Sequence, residues 1–264
     1  MANSKPVRWL PEAGSQFADP VMVADYAARD PFNPHSIDML RALALTRRPI
    51  LDVGCGCAHL TYLLTKVSNK VDAVDPSAAM LAMAQERQPL ETKGKINWIH
   101  GTVEDDQDSL KGLYGMVTAA DSIHWTDWHR FFPKIKSLML PNAYLVIVER
   151  FKGPTAWKVD EKALVSYHYT EKDQGKYDPV DEISLRGYFR LDGTHVTHPI
   201  LVAKTPEDYI RERHSRNGCS RSRMGTRNTK AFNKEMARII APYVSTDGLL
   251  HYESYTKLRW GIVL

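Results

Sequence analysis

Ile50-Leu51-Asp52-Val53-Gly54-Cys55-Gly56-Cys57-Ala58-His59 is the stretch on which the reading of the fold turns. Its first four residues read as a buried strand. Gly54 and Gly56 follow as a turn in which the backbone can take positive φ and come close to a ligand. Leu60, Leu63 and Leu64 then give the spacing of a helix laid on a sheet. Some twenty residues on, Val71-Asp72-Ala73-Val74 reads as a second strand, and it ends in another acid, Asp75. A strand, glycine turn, helix, strand and acid in this order is how a doubly wound sheet holds a nucleoside, with the turn against the ligand and the carboxylate on the ribose hydroxyls.

The alternation continues in both directions. Ser36 to Thr46 reads as a helix with Ser36 as N-cap. Pro76 and Ser77 open a helix after Asp75, with Met80, Leu81 and Ala84 facing inward. Ile96–His100, Gly115–Ala120 and Tyr144–Val148 read as three further strands, with a helix from Trp128 to Met139 closed by Pro141-Asn142. Regular alternation from Arg48 to Glu149 implies a parallel sheet covered on both faces. Beyond Arg150 the periodicity changes. A strand is expected within Gly193–Ala203, helices over Pro206–Arg213 and Ala231–Ala241, and a last strand over Tyr255–Val263.

The chain has 264 residues, enough for one large domain or a domain with a sizeable insertion. A net charge of +4 gives no argument for a nucleic-acid or membrane partner. Met1–Pro6 lacks the apolar centre of a signal peptide, and no apolar run is long enough to span a bilayer. Cys55 and Cys57 flank a turn glycine, which suits neither a disulfide nor a zinc site, and no metal is expected. These features set a reducing, cytoplasmic location as the expectation.

The third glycine of a nicotinamide fingerprint is missing, because His59 stands in its place. What remains, Asp52-x-Gly54-x-Gly56-x-Ala58, resembles motif I of class I S-adenosylmethionine-dependent methyltransferases, with Ala58 and Cys57 as departures. Val74-Asp75-Pro76-Ser77 with Met80 resembles the second motif of that family. Gly101-Thr102-Val103-Glu104-Asp105 resembles its adenine-binding loop. Ala120-Asp121-Ser122-Ile123-His124-Trp125 resembles the segment after its fourth strand. His214-Ser215-Arg216, Ser220-Arg221 and Trp260-Gly261 are similar to the small-molecule branch near trans-aconitate methyltransferase. The resemblance implies a Rossmann-like α/β fold: a doubly wound, mostly parallel seven-stranded sheet with helices on both faces and a C-terminal cap insertion. It divides a single domain into a lid and first helix (1–47), a cofactor core (48–150), a substrate cap (151–230) and a final helix and strand (231–264).

The resemblance also implies roles. The cofactor would be S-adenosyl-L-methionine, held by Asp52, Gly54, Gly56, Asp75, Pro76, Met80, Val103, one or both of Glu104 and Asp105, Asp121 and Ile123. His124 is the candidate base or orienting group, against a plain packing role beneath Trp125. Tyr26 and Trp9 are candidates for a lid, against simple packing. Residues 211–230 hold seven Arg or Lys and one Glu. His214, Arg216 and Arg221 from that run, with Tyr26 and Trp125, are the candidates for binding a small-molecule acceptor, which an arginine clamp would make anionic. The bland alternative for the run is a solvated loop beside a helix. It lacks the interleaved aromatics of a nucleic-acid surface. The expected activity is methyl transfer to a carboxylate or phenol oxygen. The competing readings are a cofactor-binding protein or cyclase on the same fold and, disfavoured by Asp121-Ser122-Ile123-His124, an RNA or protein methyltransferase. The sequence leaves oligomeric state open.

Overall fold

The computed structural model describes residues 5–6, 9, 11–105, 108–168 and 177–264, so the reading of Met1–Ser4 lies outside the described residues. Strands β1 (Ile50–Val53), β2 (Val71–Asp75), β3 (Ile96–His100), β4 (Tyr114–Ala120) and β5 (Met139–Lys152) run parallel in the order β3-β2-β1-β4-β5. Side chains alternate between two apolar layers, as a sheet covered on both faces requires. Leu51, Val53, Val117, Ala119, Leu145 and Ile147 meet α5 (Trp128–Leu138) and α7 (Pro179–Leu185) on one face. Ile50, Met116, Val146 and Val148 meet α2 (Ser36–Leu43) and α3 (Thr61–Leu64) on the other. α4 (Ala78–Glu86) starts from Ser77, whose hydroxyl accepts from the Met80 N–H.

The sheet ends on β8 (Leu250–Val263), antiparallel to β5. Seven strands were expected and eight are present, because the last rank is split. β6 (Phe189–Val196) pairs with the second half of β8 and β7 (Ile200–Lys204) with its first half. The single strand expected within Gly193–Ala203 is thus two, broken at Thr197–Pro199. β5 is longer than its apolar run suggests because β8 extends the pairing to Lys152↔Ser254. It also begins at Met139, opposite Tyr114, so α5 ends at Leu138 before the Pro141-Asn142 pair is reached. The helix after the glycine turn is a single turn, Thr61–Leu64, because Ala58 takes a left-handed φ of 64° and delays its start.

A second apolar core lies over the projecting end of β8. It joins Trp157, Tyr209, Phe232, Met236 and Tyr252 from α6 (Lys158–His168) and its approach, α8 (Pro206–His214), α9 (Arg221–Ile240) and the strand. α9 starts ten residues before the apolar periodicity of 231–241 and is kinked at Gly225, where φ is 70°. Ahead of the sheet, a 3-10 segment (Pro11–Ala18) and α1 (Pro20–Tyr26) lead across the top, with Asp19 capping α1 through the Val21 N–H.

Gly261 tests the β6–β8 pairing. A Cβ there would sit 1.9 Å from the Arg190 carbonyl oxygen, a backbone atom that cannot swing away. Gly261→Ala is expected to cost about 2–3 kcal/mol and lower Tm by about 5–10 °C. Gly248→Ala, with a φ of 80° but open space around it, should cost no more than about 1–2 kcal/mol. Thermal unfolding of the two variants side by side checks this.

Candidate functional site

A cavity of about 1410 Å³ opens above the carboxyl ends of the parallel strands. It sits where the strand order reverses between β1 and β4, the place where doubly wound sheets bind ligands. The turn after β1 forms its floor. Gly54 has φ 64°, and a Cβ on it would lie 2.6 Å from the Ser122 Cβ. Ser122 is held there because its hydroxyl donates to the Val53 carbonyl at 2.6 Å. Gly56 has φ 54° and faces the Tyr26 ring, 3.7 Å from where its Cβ would be.

Asp75, at the end of β2, is buried and lines the cavity. Its Oδ2 accepts from the Gly56 N–H and its Oδ1 from the Ser77 N–H, both at 2.8 Å. Each oxygen keeps a second lone pair for a ligand hydroxyl. Burial, opposed by the two N–H bonds, pushes its pKa up to about 6. Asp52 is deeper. It accepts from the Thr61 hydroxyl at 2.7 Å and the Thr118 hydroxyl at 2.8 Å, and it does not line the cavity. Burial likewise raises its pKa to about 6.

Pro76, Met80, Val103, Glu104 and Asp105 line the cavity beside Asp75. The Glu104 Oε1 accepts from the Asp127 N–H at 2.9 Å, while burial raises the pKa of the carboxyl. Asp105 is exposed and accepts from the Thr102 hydroxyl at 2.8 Å. Asp121 lines the cavity with a φ of 51°, and the Arg150 Nε donates to it at 2.9 Å. Ile123 is buried in the core instead, and its carbonyl accepts from the Trp128 indole. His124 lines the cavity from the 3-10 turn Ile123–Trp125. It lies 5.0 Å from the Trp9 ring and 4.9 Å from Trp125, both tilted, and Phe17 meets Trp125 edge-on at 5.4 Å. Trp9, Tyr26 and Trp125 all line the cavity.

The three basic residues named from the 211–230 run part company. Arg216 lines the cavity and keeps only a 3.7 Å contact with Glu212. Arg221 turns away to Asp25, at 2.7 Å. His214 is buried, with Nδ1 2.7 Å from the Cys219 carbonyl and Nε2 2.6 Å from Asn233. Neither of these two lines the cavity.

Sequence reasoning missed several residues here. Arg29 packs its guanidinium 4.0 Å over the Tyr26 ring and donates to the Ser215 hydroxyl and carbonyl. Among the described residues it has no ion-paired carboxylate. Burial, and then the cations Arg150 and Arg216, lower its pKa, with Tyr26 opposing. Its spacing from Tyr26 was the available signal. Lys152 and Arg213 also line the cavity. The Lys152 Nζ lies 2.5 Å from Glu212 and 3.3 Å from Asp30, and burial lowers its pKa to about 8. Arg213 lies 2.7 Å from Glu161. Each comes from an element that reaches the site only through the tertiary fold.

Residues 50–142 match a family model described as a methyltransferase domain. This stretch is similar to a methyltransferase domain. A probable S-adenosylmethionine-dependent methyltransferase of Saccharomyces cerevisiae is 32% identical over 36% of this chain and 33% of its own length. The magnesium-protoporphyrin O-methyltransferase of Rhodobacter capsulatus is 33% identical over 33% of this chain and 40% of its own length. The chain therefore spans well under half the length of these curated relatives. A structure described as a putative type II methyltransferase from Anaeromyxobacter dehalogenans superposes with a TM-score of 0.63 at 18% identity, covering 89% of this chain and 98% of that one. The sheet is that of the Rossmann-like class I methyltransferase fold. Among the described residues no helix is long and apolar enough to cross a membrane, and no cluster of acids, histidines or cysteines could hold a metal.

The raised pKa of Asp75 has a definite sign. An acid whose folded pKa exceeds its unfolded value stabilises the fold below the unfolded pKa, and that contribution is lost as pH rises through the folded pKa. From 3.8 to about 6 the shift corresponds to about 3 kcal/mol. The stability of Asp75→Asn relative to the parent is therefore expected to shift in the variant's favour by up to about 3 kcal/mol as pH rises from about 4 to 7, whatever the pH-independent cost of losing one acceptor oxygen. Urea unfolding of both proteins across that range measures it.

Proposed function

We propose that this chain is an S-adenosylmethionine-dependent methyltransferase that methylates an oxygen of a small, anionic acceptor. The observation that carries the reading is the buried Asp75 carboxylate, held by the glycine turn and facing the cavity with a lone pair to spare on each oxygen. The residues fit the cofactor. Asp75 takes the two ribose hydroxyls. Glu104, more buried than Asp105, accepts from the adenine amino group beside Val103, with Pro76 and Met80 against the base and sugar. Gly54 and Gly56 allow the methionine part to lie against backbone. Arg29, a cation short of a counter-ion next to that turn, takes its carboxylate. Asp52 acts from below by fixing Thr61 and Thr118 under the turn.

When bound, S-adenosylmethionine supplies a sulfonium methyl group already activated for in-line displacement, so alignment is the main demand on the protein. His124, Trp9 and Trp125 form an aromatic wall on the acceptor side. An ionised carboxylate needs no base there. A phenol does, and its proton would pass to His124, which lines the cavity beside Trp9 and Trp125. The acceptor end also carries Lys152, Lys158, Lys162, Arg213 and Arg216 against Asp30, Glu161 and Glu212. This excess favours a negatively charged acceptor. An O-methyltransferase among the relatives agrees with an oxygen nucleophile.

Isothermal titration with S-adenosylhomocysteine tests the cofactor site. Binding in the micromolar range is expected, weakened about 100-fold or more by Asp75→Ala and about tenfold by Arg29→Met. Affinity should rise with pH through about 6, since only the ionised Asp75 accepts both hydroxyls. Failure of the parent protein to bind would overturn the reading. Carboxylic acids and phenols are then screened for formation of S-adenosylhomocysteine. Tight binding with no turnover on any acceptor would favour a non-methylating protein or cyclase instead.

A further inference from the structure

The whole-chain charge of +4 conceals a local excess on the cap. α9 buries Phe232, Met236, Ile239 and Ile240. Arg227, Lys230 and Lys234 follow at intervals of three and four residues and fall on the opposite, exposed face. Among the described residues none of these three has an ion-paired acid. Glu235 is bound instead to Arg238, at 2.6 Å.

α6 lies against this helix. The His168 ring meets Phe232 edge-on at 5.6 Å, and the Arg238 pKa is raised by Glu235 first and then by Asp160. His168, at the end of α6, thus lies by Phe232, and the charge of Asp160, near its start, acts on Arg238 further along α9, so the two helices run antiparallel. α6 buries Glu161 and turns Val159, Ala163 and Tyr167 outward at four-residue spacing. Val159 is 80% exposed and Tyr167 82%, the two most exposed large apolar side chains among the described residues. Lys158 and Lys162 stand on one flank of this apolar stripe, and Asp160 stands on the other, toward α9 and its exposed Arg227, Lys230 and Lys234.

We propose that this two-helix face docks on an anionic lipid surface. Apolar side chains flanked by lysine and arginine are the pattern of helices that lie in a bilayer interface, with the apolar stripe among the acyl chains and the cations at the headgroups. Val159 and Ala163 offer no ring on which a base could stack, so the exposed stripe does not have the interleaved aromatics of a nucleic-acid surface. Each cation near an anionic membrane adds about a fivefold factor to partitioning. Lys158, Lys162 and Val165 of the same helix line the cavity, so a docked protein would hold the cavity mouth beside the bilayer. The inference does not depend on the methyl-transfer reading.

Co-sedimentation of the full chain with phosphatidylcholine vesicles, with and without phosphatidylserine, tests it. Binding is expected only to the phosphatidylserine vesicles, and it should weaken as salt rises. Joint replacement Arg227→Glu, Lys230→Glu, Lys234→Glu should lower partitioning by about 100-fold or more. Val159→Ser with Tyr167→Ser should lower it by about tenfold or more while leaving the salt dependence in place. Thermal unfolding followed by circular dichroism, expected to match the parent, shows that each variant is folded. Equal binding to both kinds of vesicle, no binding to either, or binding indifferent to the substitutions would overturn the proposal. So would tight binding of single-stranded DNA by a protein that ignores vesicles, which would assign the basic face to nucleic acid.

Discussion

One buried carboxylate holds the working end of this fold together. Asp75 closes β2, and its two oxygens reach the N–H of Gly56, in the turn after β1, and of Ser77, at the start of α4. Two crossovers are thereby fixed to each other at the point where the cavity opens. The same residue is made expensive by its position, since burial raises its pKa, and charge-assisted bonds from backbone N–H groups are what keep it in place. Ser122 adds the third corner by bonding the Val53 carbonyl, which ties the loop after β4 to the same turn. Gly54 has no room for a side chain because of that bond.

A second, larger network joins the cap to the start of the chain. Lys204 of β7 and Lys152 of β5 share Asp30 and Glu212, and the Tyr252 hydroxyl donates to Asp30 at 2.6 Å. Two cations and two anions compensate one another out of water, so the cluster stores little net charge and depends on all four members. Removing any one would leave the buried cluster with one unit of uncompensated charge. Asp25 does the same on a smaller scale by holding Arg221 and Arg211. The amino-terminal segment that covers the cavity is consequently anchored to the cap as well as to the cofactor core.

The side of the cavity around Asp75 was legible in the sequence because its signals are local. The glycine turn, Asp75 and the loop Gly101–Asp105 each lie within a few residues of a strand end, and strand periodicity places them on one side of the sheet. The opposite side of the cavity was not legible in the same way. Lys152 and Arg213 come from two distant elements, β5 and α8, and only the pairing of β8 with β5 and β7 brings those elements together. The basic run 211–230 shows the difference within one segment. Arg216 faces the cavity, Arg221 answers Asp25 nearly two hundred residues earlier, and His214 is consumed by Cys219 and Asn233. Charge composition carries no information on which way each side chain turns.

The divided last rank of the sheet also bears on self-association. β6 and β7 expose Leu191, Val196 and Leu201 along a border with open hydrogen-bonding positions, a combination that invites a second copy to add a strand. The break at Thr197–Pro199 prevents a long register from forming there. Asn33 fills the break, donating to the Thr197 hydroxyl at 3.0 Å and to the His198 carbonyl at 2.6 Å. Pro199 brings no N–H of its own. A border interrupted in this way presents two separate segments in place of one continuous edge, which shortens the register that a second copy could follow.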